Sequence, residues 1–147
     1  MNHSEEKMKL NDAIQEFLDG SGIGRYKDEA HMRSNLAAKL REGGFDVEEE
    51  KEVTMADGSI LRPDLIVHVG EEDIPIELKY DNTSIEEYKE DEIKCQRYVE
   101  DLGNVKTAFC IFVSNTNHEE YGDWNECIGD KQYSQMWEVF RSDAFKF

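Results

Sequence analysis

The chain has 147 residues, a length that suits one domain, and 38% of them are hydrophobic, enough to form a substantial core. Its 34 acidic residues outnumber its 17 basic ones, which gives a net charge of −17 at pH 7. Nucleic acids and anionic membranes attract a positive field, so this charge argues against a general coat for either, but not against a small local basic site.

The sequence shows no pattern of a targeting segment, a disulfide framework or a zinc site. No stretch reaches the ~18–20 consecutive apolar residues of a membrane span, and the first residues lack the basic end and apolar run of a signal peptide. The three cysteines are odd in number and widely spaced. These features favour a cytoplasmic protein with reduced thiols and no membrane partner.

Two helices are predicted in the first third of the chain. Residues 5–19 place apolar side chains at helical spacing and stop at a glycine, after which a glycine-rich joint follows. A second helix is predicted from about residue 25 to residue 42, where two glycines end it. We therefore divide the chain into an N-terminal helix with its joint, residues 1–24, and a single domain, residues 25–147.

The next segments have the pattern of strands. Apolar residues between 45 and 53 predict a first strand, and the dipeptide Asp57-Gly58 gives a hairpin signal. A second strand is predicted at residues 60–69 and a third at residues 74–80, with an acidic turn between them. The three strands should be neighbours in one sheet.

The last third of the chain predicts a helix, a strand and a further helix. A capping box at Ser84 predicts a helix to about residue 102, and the apolar run at residues 107–113 predicts a central strand. Residues 114–123 are typical of a polar loop, and residues 133–140 have apolar side chains at helical spacing, which predicts a C-terminal helix. The whole order predicts an α/β domain with a mixed sheet.

Three residues on two neighbouring strands predict the chemistry. Side chains alternate across a strand, so Glu77 and Lys79 point to one face, and a tight turn brings Asp64 back beside Glu77. Two adjacent carboxylates repel each other unless a cation lies between them, and Mg²⁺ prefers oxygen ligands while keeping several waters. Lys79 can orient the attacking water, help to deprotonate it, or stabilise negative charge on a phosphate. Metal-assisted phosphodiester hydrolysis requires such a set.

This pattern resembles the PD-(D/E)xK nuclease superfamily. Its signature is matched by Pro63-Asp64, twelve further residues, and then Glu77-Leu78-Lys79. The predicted helix-strand-strand-strand-helix-strand order, from about residue 25 to residue 113, is similar to that family's core. The resemblance implies a restriction-endonuclease-like fold, a mixed central sheet flanked by helices, with the N-terminal and C-terminal helices as additions. It also implies a Mg²⁺-dependent deoxyribonuclease, either an endonuclease, which is favoured, or an exonuclease, in which Mn²⁺ can replace Mg²⁺.

The same resemblance implies further site residues. An acidic residue on the helix before the first strand would complete the metal site or hold its water, and Glu29 is the candidate, with Asp28 as its substitute. A glutamine on the helix after the lysine strand would reach the site, and Gln96 occupies that helix. Tyr98 lies two positions further, so we do not expect it to share the face of Gln96. The implied metal ligands are Asp64, Glu77 and Glu29.

Two other functions account for parts of the sequence. A protein of the same fold without turnover would bind or regulate, and an acidic DNA mimic would inhibit a nucleic-acid enzyme. The mimic explains the charge of −17 directly but makes the three-residue pattern accidental, whereas the nuclease leaves that charge as surface background. As a nuclease, the protein should bind DNA weakly and with strong salt dependence, and a homodimer or a partner protein that delivers DNA is also expected.

A few other residues have two interpretations or a structural one. His68 has no predicted partner, and we expect a structural role for it rather than a metal-binding one. Aromatic rings in the late loop can stack on bases or anchor the loop. These rings belong to His118, Tyr121 and Trp124.

Overall fold

The computed structural model describes residues 3–20, 26–80, 85–114, 125–128 and 131–141. The described helices are α1 (His3–Asp19), α2 (Glu29–Glu42) and α3 (Ile85–Asp101). The described strands are β1 (Asp46–Glu49), β2 (Val53–Thr54), β3 (Ile60–Leu61), β4 (Leu65–Val69), β5 (Glu72–Tyr80), β6 (Thr107–Ser114), β7 (Asn125–Ile128) and β8 (Lys131–Arg141). Within these ranges, no helix is both long enough and apolar enough to cross a membrane.

Six of the strands form one mixed sheet in the order β1-β4-β5-β6-β8-β7. β4 runs antiparallel to β1 and to β5, whereas β5 and β6 are parallel neighbours. Parallel neighbours cannot be joined by a tight turn, and α3 provides the crossover between them. The α/β class and the mixed sheet predicted from the sequence are confirmed, as are the three predicted helices before residue 107.

Side-chain alternation in the sheet separates two hydrophobic clusters. On one face, buried residues of α1 and α2 pack against buried residues of the sheet. This cluster includes Leu10, Ile14, Leu36 and Leu40 from the helices and Val67, Ile76, Leu78 and Ile111 from the sheet. On the opposite face, α3 packs against β6 and the β2–β3 hairpin, through residues that include Met55, Tyr88, Cys95, Tyr98, Ala108 and Phe112. Glu77 lies between Ile76 and Leu78 in β5, so its side chain projects toward α3.

The N-terminal helix packs into the first of these clusters. Leu10, Ile14 and Leu18 of α1 are buried there together with side chains of α2 and the sheet. Lys7 Nζ also lies 2.8 Å from Glu72 Oε1 of β5. α1 therefore shares the core of the sheet domain. The joint predicted at residues 20–24 lies, after Gly20, outside the described residues.

The first two predicted strands are each divided. The segment predicted as strand one forms β1 and β2, separated at Glu50, whose φ of 51° interrupts the extended backbone. The segment predicted as strand two forms β3 and β4, separated at Pro63, which has no N–H to donate to a sheet. The predicted hairpin turn joins β2 to β3, with Gly58 at a φ of 85° that favours glycine.

The predicted C-terminal helix is wrong. Residues 131–141 form β8, which pairs with β6 from Thr107↔Arg141 to Ser114↔Ser134 and with β7 on its other side. The apolar side chains of this segment match helical spacing, but its aromatic and β-branched residues also suit a strand. Pairing with the otherwise open edge of β6 outweighs the helical pattern. The capping box at Ser84 and the loop residues His118, Tyr121 and Trp124 lie outside the described residues.

Candidate functional site

Asp64 and Glu77 lie side by side at one end of the β4–β5 ladder. The last paired residues at that end are Leu65 and Ile76, so one further step sets Asp64 opposite Glu77. The Leu78 amide donates a hydrogen bond of 2.8 Å to Asp64 Oδ2, which holds this carboxylate against β5. The two carboxyl groups also share a hydrogen bond. The structure thus brings together the pair that the tight turn predicts.

Burial disfavours the charged forms of both carboxyl groups. Glu77 is 4% exposed, and the Tyr98 hydroxyl donates a hydrogen bond of 2.6 Å to its Oε2. Burial, and then the neighbouring Asp64, hold the pKa of Glu77 well above its ordinary value. Burial likewise raises the pKa of Asp64, although the Leu78 amide and Glu77 hydrogen bonds oppose the rise. A cation that neutralises this pair would remove the cost of ionising it.

Lys79 projects from the same face of β5 as Glu77, and its ammonium group lies among acids. Its Nζ is 4.0 Å from Asp91 Oδ1. Burial lowers the pKa of Lys79, but Asp91, Glu29, Asp64 and Glu77 together outweigh this effect, so the pKa is raised. A charged ammonium cannot accept a proton. Of the roles predicted for Lys79, the structure therefore favours charge stabilisation and the orientation of water.

The acidic residue from α2 is Glu29, and Asp28 has another task. Asp28 is the N-cap of α2, and its Oδ1 accepts a hydrogen bond of 2.8 Å from the His31 amide. Glu29 is the first helical residue, and the Tyr80 amide at the end of β5 donates a hydrogen bond to it. Burial, and then Asp64, raise the pKa of Glu29 to about 7. The structure thus places Glu29 at the site, and its role toward a metal stays a prediction.

Asp91 of α3 is a site residue that the sequence reasoning missed. Its side chain is 2% exposed, and its Oδ1 lies 3.8 Å from Lys94 Nζ as well as 4.0 Å from Lys79 Nζ. Burial raises the pKa of Asp91 to about 6, and its Oδ2 has no hydrogen-bond partner in the part of the chain that the structure describes. The available signal was its helical position, because Asp91 falls on the stripe that contains the buried Cys95 and Tyr98.

Gln96 lies away from the site and Tyr98 lies at it, which is the reverse of what the sequence predicts. Gln96 Nε2 donates a hydrogen bond of 2.7 Å to Glu100 Oε1, on an exposed part of α3. The prediction that Gln96 reaches the site is therefore not met, because its position on the helix turns it away from the face that carries Asp91. Tyr98, which was set aside, is fully buried and contacts Glu77 directly.

His68 has two acidic partners, contrary to the prediction. Its Nδ1 lies 2.6 Å from Asp73 Oδ1, and its Nε2 lies 2.7 Å from Glu48 Oε2. Burial lowers the pKa of His68, but the two hydrogen bonds outweigh this effect and the pKa is raised. His68 lies toward the opposite end of β4 from Asp64, so it ties three strands together away from the site.

We call Glu29, Asp64, Glu77 and Asp91 the carboxylate cluster. Positive charge near the cluster comes from Lys79, Lys94 and Arg33, the last of which lowers the pKa of Asp64. The nearby Arg33 is paired with acids outside the cluster: its Nη1 lies 3.2 Å from Glu50, and its Nε lies 3.8 Å from Glu49. The all-oxygen donor set of the cluster suits a divalent cation such as Mg²⁺.

The structure also limits how such a cation could be held. Among the described residues, no three acidic, histidine or cysteine side chains converge as a ready-made metal site. Mg²⁺ is commonly held by one or two carboxylates and keeps its other positions for water and phosphate oxygens. The adjacent Asp64 and Glu77 suit that mode. The Oδ2 of Asp91 is buried and has no hydrogen-bond partner among the described residues.

Comparison with known proteins does not identify the chain. No family model matches it, and neither a curated protein nor a solved structure matches it. The interpretation of the site therefore depends on its own geometry and electrostatics.

Proposed function

We propose that the chain is a Mg²⁺-dependent deoxyribonuclease of the PD-(D/E)xK superfamily, in which Mn²⁺ can replace Mg²⁺. The main support is one observation, the half-buried Asp64 beside the buried Glu77, with Lys79 on the same face of β5. A restriction-endonuclease-like core is supported by the order α2-β1-β4-β5-α3-β6 and by the parallel pairing of β5 with β6. An endonuclease is favoured over an exonuclease by the resemblance alone.

The chain's own residues would divide the work as follows. Asp64 and Glu77 would hold the cation, which when bound supplies a Lewis acid for phosphodiester hydrolysis. The Leu78 amide and the Tyr98 hydroxyl fix the orientation of these two carboxylates. Lys79 keeps a positive charge next to them, where it can stabilise the negative charge that grows on a phosphate and orient a water. Glu29, the first residue of α2, would hold that water.

The negative charge of the molecule restricts how DNA could approach. The basic residues nearest the site are already engaged with acids, since Lys79 and Lys94 flank Asp91 and Arg33 pairs with Glu50. Arg97, on the same helix as Lys94, pairs with Asp57 over 3.2 Å. Binding should therefore be weak and should depend strongly on salt and on divalent ions. A partner protein that delivers DNA would provide the positive field that this chain lacks. A homodimer would not, because it doubles the net negative charge.

The position of the carboxylate cluster distinguishes the nuclease from the acidic mimic. A mimic needs exposed carboxylates spaced like phosphates, whereas Glu77 and Asp91 are 4% and 2% exposed. Buried carboxylates without a cation are costly, so a purely structural cluster would be an unfavourable choice. This observation favours catalysis and leaves the surface acids to other interpretations.

The experiment that tests the proposal is a cleavage assay on linear, nicked and branched DNA. The wild-type protein should cleave at least one of them with Mg²⁺ or Mn²⁺ and none with EDTA. Asp64→Asn should lower the rate by about 10²–10³-fold, because it removes a charged ligand of the cation. Asp46→Asn is the matched control, since Asp46 is exposed and lies beside His68 at the other end of β4.

The control variant should cleave at the wild-type rate. If the wild type cleaves no substrate in either metal, the active nuclease is excluded, and the binding or mimic functions become the better interpretations. If Asp64→Asn cleaves as fast as Asp46→Asn, the activity does not come from this site.

A further inference from the structure

Oδ2 of Asp91 is a buried oxygen of the site without a hydrogen-bond partner among the described residues. The side chain is 2% exposed, so bulk water does not solvate it, and Oδ2 makes no hydrogen bond. Buried polar atoms in folded proteins nearly always have a partner, and an exception needs an explanation, such as a functional role or a bound water or ion. A group that satisfied Oδ2 would donate a hydrogen bond or carry positive charge.

The lysines beside Asp91 do not supply that group. Lys79 Nζ and Lys94 Nζ lie 4.0 Å and 3.8 Å from Oδ1, which is the other oxygen of the carboxylate. Both distances exceed the range of a direct hydrogen bond. Lys94 is also 41% exposed on its side chain, so it can turn toward solvent.

The groups around Asp91 indicate which ligand would satisfy its Oδ2. Asp91 interacts electrostatically with Glu29, Asp64 and Glu77, so it belongs to one acidic site whose parts come from α2, the start of β4, β5 and α3. No three of these side chains converge as direct metal ligands among the described residues. A hydrated divalent cation would satisfy Asp91 Oδ2 without direct coordination, because the waters bound to the cation donate hydrogen bonds to groups that do not contact it.

We infer that Asp91 is a positioning residue of the cation site, whose Oδ2 accepts a hydrogen bond from a water bound to a divalent cation at Asp64 and Glu77. This inference rests on the proposed function, because it uses the same cation. It adds a fourth carboxylate, from α3, to those that the sequence pattern predicts. It also gives Asp91 a second effect, since the same carboxylate lies between Lys79 and Lys94 and keeps both ammonium groups near the site.

Binding of Mg²⁺ without DNA tests the inference, measured by isothermal titration calorimetry on the full chain. Removing a residue that orients metal-bound water typically lowers affinity 10–100-fold. Asp91→Asn should therefore weaken Mg²⁺ binding by about 10–100-fold, and Glu77→Gln should weaken it at least as much. Asp101→Asn is the matched control, because Asp101 is exposed at the far end of α3 and the same substitution removes the same charge. Its affinity should stay within about twofold of wild type.

A measurement on the wild type makes the test independent of the fold of any variant. In the carboxyl-carbon NMR spectrum, substoichiometric Mn²⁺ should broaden the signals of Asp64 and Asp91 together. The signal of Asp101, at the far end of α3, should remain sharp.

Three results would count against the inference. If Asp91→Asn binds Mg²⁺ like the wild type while Glu77→Gln does not, Asp91 has a structural role and the nuclease proposal stands. An Asp91 signal that stays sharp while that of Asp64 broadens has the same meaning. If the wild type binds neither Mg²⁺ nor Mn²⁺, the inference and the proposed cation-dependent nuclease fail together.

Discussion

At the scale of single residues, the hydrogen bond from Tyr98 to Glu77 joins α3 to β5 inside the site. Both side chains are buried, and the donor and acceptor are 2.6 Å apart. Burial, and then Glu77, raise the pKa of Tyr98, so its hydroxyl keeps its proton and acts as a donor. Tyr98 is the residue that fixes the orientation of Glu77.

Replacement of Tyr98 by Phe should destabilise the protein through Glu77. The substitution leaves a buried carboxyl oxygen without its donor, which costs about 1–2 kcal/mol of the free energy of unfolding. Urea unfolding in EDTA measures this cost. In a Glu77→Ala background the same substitution should cost less than about 0.5 kcal/mol, because the partner is already absent. Equal costs in both backgrounds would show that Tyr98 acts by packing and not by its hydrogen bond.

Single residues also show how far the sequence predicts the site. Asp64, Glu77 and Lys79 were predictable because the two-residue period of a strand and a short turn determine their positions. Asp91 was not, because α3 begins with many acids and their number hides the one that falls on the buried stripe. Gln96 was misplaced since the family pattern gives an element and not the helical angle of a residue.

At the scale of elements, long periodic segments were predicted well and short strands were not. α1, α2 and α3 begin and end within a few residues of their predicted limits. The predicted first two strands divide at Glu50 and Pro63, because a local backbone angle and a missing N–H interrupt the ladder. These breaks matter for the site, because strand pairing is interrupted just before Asp64. The Asp64 carboxylate can then accept a hydrogen bond from the Leu78 amide.

β8 shows where local pattern and tertiary pairing disagree. Residues 131–141 fit a helix by the spacing of their apolar side chains, yet they form an eleven-residue strand. The decisive interaction is pairing with β6, which is distant in sequence and covers eight residue pairs. Such pairing cannot be read from an isolated segment, because propensity is a weak prior that tertiary context overrides.

At the scale of the whole molecule, the carboxylate cluster should make metal-free stability depend on pH. Burial raises the pKa of Glu29 to about 7 and that of Asp91 to about 6, from ordinary values of 4.5 and 3.8. Between the ordinary pKa and the raised pKa of each group, the folded protein holds a proton that the unfolded chain has released. The free energy of unfolding therefore falls as pH rises through this interval. The contribution is fully present below about pH 4 and is lost as pH passes through 6 to 7.

Urea unfolding in EDTA should show this fall between about pH 5 and about pH 8, on the order of 2 kcal/mol. Asp91→Asn should reduce the fall because an amide does not titrate, whereas Asp101→Asn, at the exposed far end of α3, should leave it unchanged. Mg²⁺ should raise the stability most at the upper end of the range, where the carboxylates are ionised. A metal-free stability that rises with pH would contradict the electrostatics described for the cluster.

The charge of −17 has a narrower meaning once the fold is known. Much of the acid lies on exposed surfaces, while four carboxylates are gathered with two lysines at one end of the β4–β5 ladder. In the proposed nuclease, the surface charge weakens the binding of DNA, and the carboxylate cluster holds the cation for cleavage. The two effects are separable by experiment, because salt dependence reports the first and metal dependence the second.

The most direct test of the central claim compares Lys79→Ala with Lys106→Ala in the cleavage of supercoiled plasmid DNA in Mg²⁺. Lys106 is an exposed lysine just before β6, at the opposite end of the sheet from Lys79. We predict that Lys79→Ala lowers the cleavage rate by about 10²–10³-fold, because it removes the positive charge beside the carboxylate pair, while Lys106→Ala cleaves at the wild-type rate. Equal rates for the two variants would contradict the claim that this cluster is the catalytic site.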